Sequence, residues 1–149
     1  MASARASSRT LDGSTVAITG AASGIGRALA LNLAARSAKL ALSDVDHEGL
    51  AETAALIRRL PPATDVGADY LSTSYLTTDY LDVSDRASMF AWAAKVASNH
   101  DSINMVINNA GVALSSTVES TESTDFEWLM GINFWGVVHG TQALSLIHI

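Results

Sequence analysis

Thr19-Gly20-Ala21-Ala22-Ser23-Gly24-Ile25-Gly26 joins a short β-branched run, Val16 to Thr19, to a stretch of helical periodicity. A strand that turns through glycines into a helix brings bare backbone and a helix N-terminus to one point, where a pyrophosphate can be approached. Gly20 permits the tight turn, Gly24 removes a side chain that would block phosphates, and Gly26 lets the helix lie close on the sheet. Ala22, Ser23 and Ile25 carry the backbone along the same bend and complete this candidate contact set. By itself the bend also reads as an ordinary glycine turn, and its spacing differs from GxGxxG. What lies around it therefore decides the fold.

Downstream, Ile25, Ala28, Leu29 and Leu33 are expected to form the inner face of a helix ending near Arg36. Lys39 to Ser43 reads as a second strand. Asp46 caps a helix reaching about Leu60, which Pro61 and Pro62 terminate. Residues 63–74 read as a polar surface excursion before a third strand at Thr77 to Leu81. Ser84 is the expected cap of a helix with Phe90, Ala93, Ala94 and Ala97 inward, and Ile103 to Ile107 the fourth strand, buried and parallel. Ser115 to Thr124 reads as loop. Thr124 and Glu127 match a capping box, opening a last helix through Trp128, Ile132, Trp135 and Val138. Strands alternating with helices define an α/β, Rossmann-type doubly wound parallel sheet, of which about four strands with flanking helices are present.

The 149 residues suit one domain, and 48% apolar against 16% charged residues suits a packed one. A net charge of -6 gives nucleic acid no broad basic surface to grip. Without cysteine there is no disulfide, thiolate metal site or cysteine nucleophile, and a reducing compartment, the cytoplasm, is the expected home. His47, His100, His139 and His148 lack the spacing of a metal pair, so they are expected at the surface or in packing, and no metal is expected. No apolar run approaches the roughly 20 residues needed to cross a bilayer. Residues 1–12 read as a frayed polar tail, with a short organellar targeting segment as the alternative.

Asp44 ends the second strand 24 residues beyond Gly20. A carboxylate there can accept both hydroxyls of an adenosine ribose and would repel a 2′-phosphate, which favours NAD while leaving NADP open. The alternative is that Asp44 only opens the turn into the helix capped by Asp46.

Taken in order, the TGxxxGIG string, the acid after the second strand, Asp82-Val83 after the third and Asn108-Asn109-Ala110-Gly111 after the fourth resemble the short-chain dehydrogenase/reductase family. The resemblance covers about Leu11 to Ala143 and points to the compact single-domain oxidoreductases rather than the sugar-nucleotide branch. It implies that Asp82 bonds the adenine amino group while Val83 contacts the ring, although Asp82 also reads as a loop opener before Ser84. It further implies that Asn109, Ala110 and Gly111 pass beside the adenosine ribose. Asn133 stands among large apolar residues, a place that demands a hydrogen-bonding duty. By the resemblance, Asn133 helps hold a water in a proton relay behind a catalytic lysine; by the residues alone, it bonds its own helix or a nearby loop. Trp128, Phe134 and Trp135 are expected in packing or subunit contact, since the family's equivalent helix often lies between subunits of a homo-oligomer.

The activity implied is hydride transfer between NAD(P) and a secondary alcohol or ketone. The alternatives are a non-catalytic dinucleotide-binding or redox-sensing protein, and a fragment that binds no cofactor. The family's catalytic serine and Tyr-x-x-x-Lys have no counterpart here, because Tyr70, Tyr75 and Tyr80 precede the fourth strand and none has lysine four residues on. Residues 13–143 are thus expected to be an incomplete dinucleotide-binding domain, inactive alone. Residues 144–149, which match the translation of a common sequencing adaptor, are expected to be a non-native tail.

Overall fold

The computed structural model describes residue 11, residues 13–61 and residues 75–145. The expected excursion at 63–74, nearly all of the N-terminal tail and residues 146–149 lie outside the described residues. The elements run β1 (Thr15–Thr19), α1 (Gly24–Ala34), β2 (Lys39–Asp44), α2 (His47–Arg58), β3 (Leu76–Tyr80), α3 (Arg86–Asn99) and β4 (Met105–Ile107). A 3-10 turn (Val118–Ser120), α4 (Ser123–Met130), a π-helical turn (Gly131–Trp135) and α5 (Gly136–Ser145) follow.

The strands form one parallel sheet in the order β3-β2-β1-β4. Every residue of β1 is buried, because helices cover both faces of the sheet. Val16, Ile18, Leu40 and Leu42 meet Ala30, Leu33, Leu50 and Ile57 of α1 and α2 on one face. Ala17 and Ala41 point the other way, onto Met89, Trp92 and Val96 of α3 and Ala143 and Leu144 of α5. The chain steps outward from β1 to β3, then crosses back to enter β4 on the far side of β1. Where the order reverses, a crevice opens beside the loops that leave the carboxyl ends of β1 and β4.

Several details differ from the sequence expectations. The inner face of α1 is Gly26, Ala30, Leu33 and Ala34, whereas Ile25 is 73% exposed. The helix is drawn onto the bend through its smallest residues, and this rotates Ile25 and Ala28 outward. It stops at Ala34, where Ser37 takes the left-handed conformation (φ 62°) and Ala38 N–H reaches back to Leu33 O. On α3 the buried face is Met89, Trp92, Ala93 and Val96, one position away from the expected register except at Ala93.

The cap of α3 is Asp85, whose side chain accepts from Ala87 N–H at 2.9 Å. Ser84 is already engaged, donating its N–H and hydroxyl to Asp82 at 2.9 and 2.6 Å. The Ser88 hydroxyl, and after it Ala87 N–H, hold the Asp85 carboxyl below its ordinary value. This exposed cap therefore acts fully above the usual aspartate range and is lost only as pH falls through the lowered value. Asp46 caps α2 as expected, accepting from Gly49 N–H at 3.0 Å. At α4 the reciprocal acid is Asp125, which accepts from Glu122 N–H at 3.1 Å, so the capping box is Glu122–Asp125, ahead of the expected Thr124–Glu127 pair by two residues.

The fourth strand is the three residues Met105–Ile107, half-exposed rather than buried, because β4 is a sheet edge here. The last helix is not uniform: Gly136 N–H bonds Gly131 O, five residues back, in place of the α-helical four. Its buried line is Gly136, His139, Gly140, Ala143 and Leu144, while Trp128 and Trp135 are about half-exposed.

Candidate functional site

Gly20 (φ +69°) and Gly24 (φ +52°) hold the bend in a conformation that L side chains rarely adopt. A Cβ on Gly20 would stand 2.7 Å from Ala110 Cα, so here the bend touches the loop after β4 backbone to backbone. A Cβ on Gly26 would overlap the Gly20 carbonyl and lie 2.6 Å from Asn109 Nδ2. Gly24 meets nothing within 4 Å and presents bare backbone to open space. Helix α1 begins at this residue with no cap bond from Ser23 and no acid in its first turn. The N–H groups of Gly24, Ile25 and Gly26 thus carry the helix's positive end without an intrahelical acceptor, the arrangement that receives an anion.

The two loops are stitched together by side chains. Asn109 Nδ2 donates to Thr19 O at 3.1 Å and to Gly20 O at 2.9 Å. The Thr19 hydroxyl, 2% exposed as a residue, accepts from both Asn109 N–H and Ala110 N–H at 3.1 Å. Thr19 opens the motif, yet nothing in the local pattern marks its hydroxyl as the acceptor for a loop ninety positions away. Thr19→Val keeps the shape and strands two backbone donors, so a loss of about 2–3 kcal/mol is expected in urea unfolding. An unchanged midpoint would show that water replaces the hydroxyl.

Between these loops lies a cleft of about 400 Å³, lined by Gly20, Ser23, Gly24, Asp44, Asp82 and Asn109 among others. Val83, Ala110, Gly111 and Ile25 also reach it. Ala22 and Gly26 do not: both are buried behind the bend and shape it from within. Sequence reading did not single out Val45, Leu81, Val112 and Ile132, the apolar walls. Each adjoins a motif residue or sits on the last helix, but an isolated apolar side chain carries no signal of its own. Asp44 holds the bend as well as facing the cleft. Its Oδ2 accepts from Ala22 N–H at 2.8 Å and its Oδ1 from Asp46 N–H at 3.0 Å. A carboxylate has about four acceptor sites, so these bonds leave capacity for a diol.

Asn133 lies within the π-helical turn and is exposed, not enclosed by its apolar neighbours. Its Oδ1 accepts from Val112 N–H and its Nδ2 donates to Val112 O, both at 2.8 Å. The amide thereby docks the loop after β4 onto the helix, the nearby-loop bond that the residues alone allowed. Neither lysine of the chain, Lys39 or Lys95, belongs to the cleft. Gly136 lets α5 approach Val83, whose Cγ2 would lie 2.7 Å from an added Cβ, and His139 Nδ1 sits 3.2 Å from Val83 O. His139 and His100 are buried, and His47 stacks on Tyr80 with ring centroids 5.1 Å apart. Among the described residues no group of three metal-binding side chains occurs, and no helix is long and apolar enough to cross a membrane.

A parallel sheet in this order, with a glycine bend at its reversal point, is a Rossmann-type α/β fold. The short chain dehydrogenase family profile matches residues 14–147, and the chain belongs to that family. It is 46% identical over 132 residues to the oxidoreductase SadH of Mycobacterium tuberculosis, covering 89% of this chain and 44% of that protein. It is 36% identical over 133 residues to levodione reductase of Leifsonia aquatica, covering 89% of this chain and 46% of that one. A short chain dehydrogenase/reductase of Burkholderia phymatum, solved in complex with NAD, superposes with a TM-score of 0.79 at 33% identity, over 93% of this chain and 45% of that one. The chain thus spans less than half the length of these relatives.

Proposed function

We propose that this chain forms the nicotinamide-dinucleotide cradle of an oxidoreductase that moves hydride between the cofactor and a secondary alcohol or ketone. The carrying observation is that an uncapped helix N-terminus, bare backbone at Gly24 and the Asp44 carboxylate face one cleft. The helix end and the Ser23 to Ile25 backbone would receive the pyrophosphate. Asp44 would accept the adenosine ribose hydroxyls, with NAD preferred to NADP because a 2′-phosphate would meet its charge. Asp82 and Val83 would flank the adenine, and Asn109, Ala110 and Gly111 would line the ribose side. When bound, the cofactor supplies or accepts the hydride. The family relationship and the NAD complex of the Burkholderia phymatum protein support this reading.

Within the cleft, the chain's own residues bind and orient. Asn133 serves as a positioning residue for Gly111 and Val112. No tyrosine of the chain is followed four residues on by lysine, so the roles derived for these residues are binding and orientation rather than proton exchange with substrate. Half-exposed Trp128, Phe134 and Trp135 support a subunit contact. The test is titration of the chain with NADH, following nicotinamide fluorescence. Saturable enhancement is expected without turnover of alcohols, and a folded chain that leaves the fluorescence unchanged sinks the reading.

A further inference from the structure

The carbonyl groups of the bend are gripped from the side away from the cleft. Arg27, on the first turn of α1, directs Nε to Ala22 O at 3.0 Å and to Thr53 Oγ1 at 3.0 Å. Its Nη2 also donates to Ala22 O, reaches Gly49 O at 3.2 Å, and pairs with Glu52 at 2.7 Å. Thr53, wholly buried on α2, lies 2.9 Å from Ala21 O, to which its hydroxyl can donate. Neither Arg27, Glu52 nor Thr53 lines the cleft.

This grip has a directional consequence. Across a trans peptide the C=O and N–H point in opposite directions, and the chain has no cis peptide among its described residues. The 21–22 peptide is held at both ends, by Thr53 on its carbonyl and by Asp44 on its N–H. The 22–23 peptide is held on its carbonyl, mainly by Arg27, with the Thr53 hydroxyl at 3.4 Å. Its N–H, that of Ser23, is thereby turned away from α2 toward the cleft that Ser23 lines. A cation on the carbonyl oxygen also draws electron density through the amide and makes that N–H a stronger donor.

We propose that Arg27, seated by Thr53 and Glu52, is a positioning residue that sets and polarises the Ser23 N–H for a pyrophosphate it never touches. This inference rests on the dinucleotide reading of the cleft. The Arg27–Glu52 pair is a weak source of stability, since the Glu52 side chain is 63% exposed. Its value lies in fixing the fork geometry on Ala22 O, which a lysine cannot reproduce.

The test compares the full chain with Arg27→Met, Arg27→Lys and Thr53→Val. Without cofactor, the Ser23 amide signal in ¹H–¹⁵N spectra is expected to move in Arg27→Met and Thr53→Val while signals from β3 stay in place. With NADH, Arg27→Met is expected to bind about tenfold more weakly and Arg27→Lys to recover only part of the loss. Should Arg27→Met fail to fold, Thr53→Val carries the same two readouts. Equal NADH affinity in wild type and variants, or an unmoved Ser23 amide, overturns the proposal. Absence of NADH binding by the folded wild type overturns the dinucleotide reading instead, and the amide signal then judges the orienting role alone.

Discussion

Gly26→Ala is expected to cost the chain about 3 kcal/mol or more, a large part of the stability of a domain this size. The new methyl would occupy the space of the Gly20 carbonyl and lie 2.6 Å from Asn109 Nδ2. Neither neighbour can retreat freely. The carbonyl belongs to a bend fixed at φ +69°, and the Asn109 amide is bonded to Thr19 O and Gly20 O. Helix α1 would have to lift from the sheet, disturbing its contact with β1 and the Asn109 side-chain amide that joins the β1 and β4 loops. Circular dichroism during urea unfolding measures the loss; a variant with the wild-type midpoint would mean that the contact at Gly26 is looser than the structure shows.

Asp44→Ala is expected to weaken NADH roughly 10- to 100-fold, the range for losing charge-assisted hydrogen bonds in a partly shielded site. Two losses would combine: the bonds proposed to the ribose, and the bond that holds Ala22 N–H and with it the glycine bend. Removing the carboxylate also removes its repulsion of a 2′-phosphate, so NADPH should weaken far less than NADH. Parallel fluorescence titrations with the two cofactors give the ratio. If both weaken equally, Asp44 shapes the bend but does not choose the cofactor.

The order of strands and helices and the glycine bend were legible because they are local and chemically marked. A turn at positive φ needs glycine, a buried parallel strand needs β-branched residues, and Asp46 is the sort of acid that caps a helix. Helix registers were less so. In α3 the faces differ little in hydrophobicity because alanine appears on several sides, and in both α1 and α3 the inner line is set by what packs on the sheet. That rule selects Gly26 over Ile25, and Met89 and Trp92 over Phe90. Ser84 has the chemistry of a cap but is held by Asp82, a competition between neighbours that composition does not settle. Thr19, Thr53 and Arg27 act on backbone groups reached only after the chain has folded, and no spacing along the sequence announces such partners.

The π-helical turn at Gly131–Trp135 has a bearing on insertions and deletions. Its wide loop accommodates one residue more than an ordinary turn, so removing a single residue here would let the helix close up to regular geometry. The same removal a turn later would swing Gly140, Ala143 and Leu144 by about 100° around the axis and expose the seam against α3. Single-residue shortening of this chain should therefore be survivable in the wide turn at the expense of the Asn133–Val112 junction, and ruinous just beyond it.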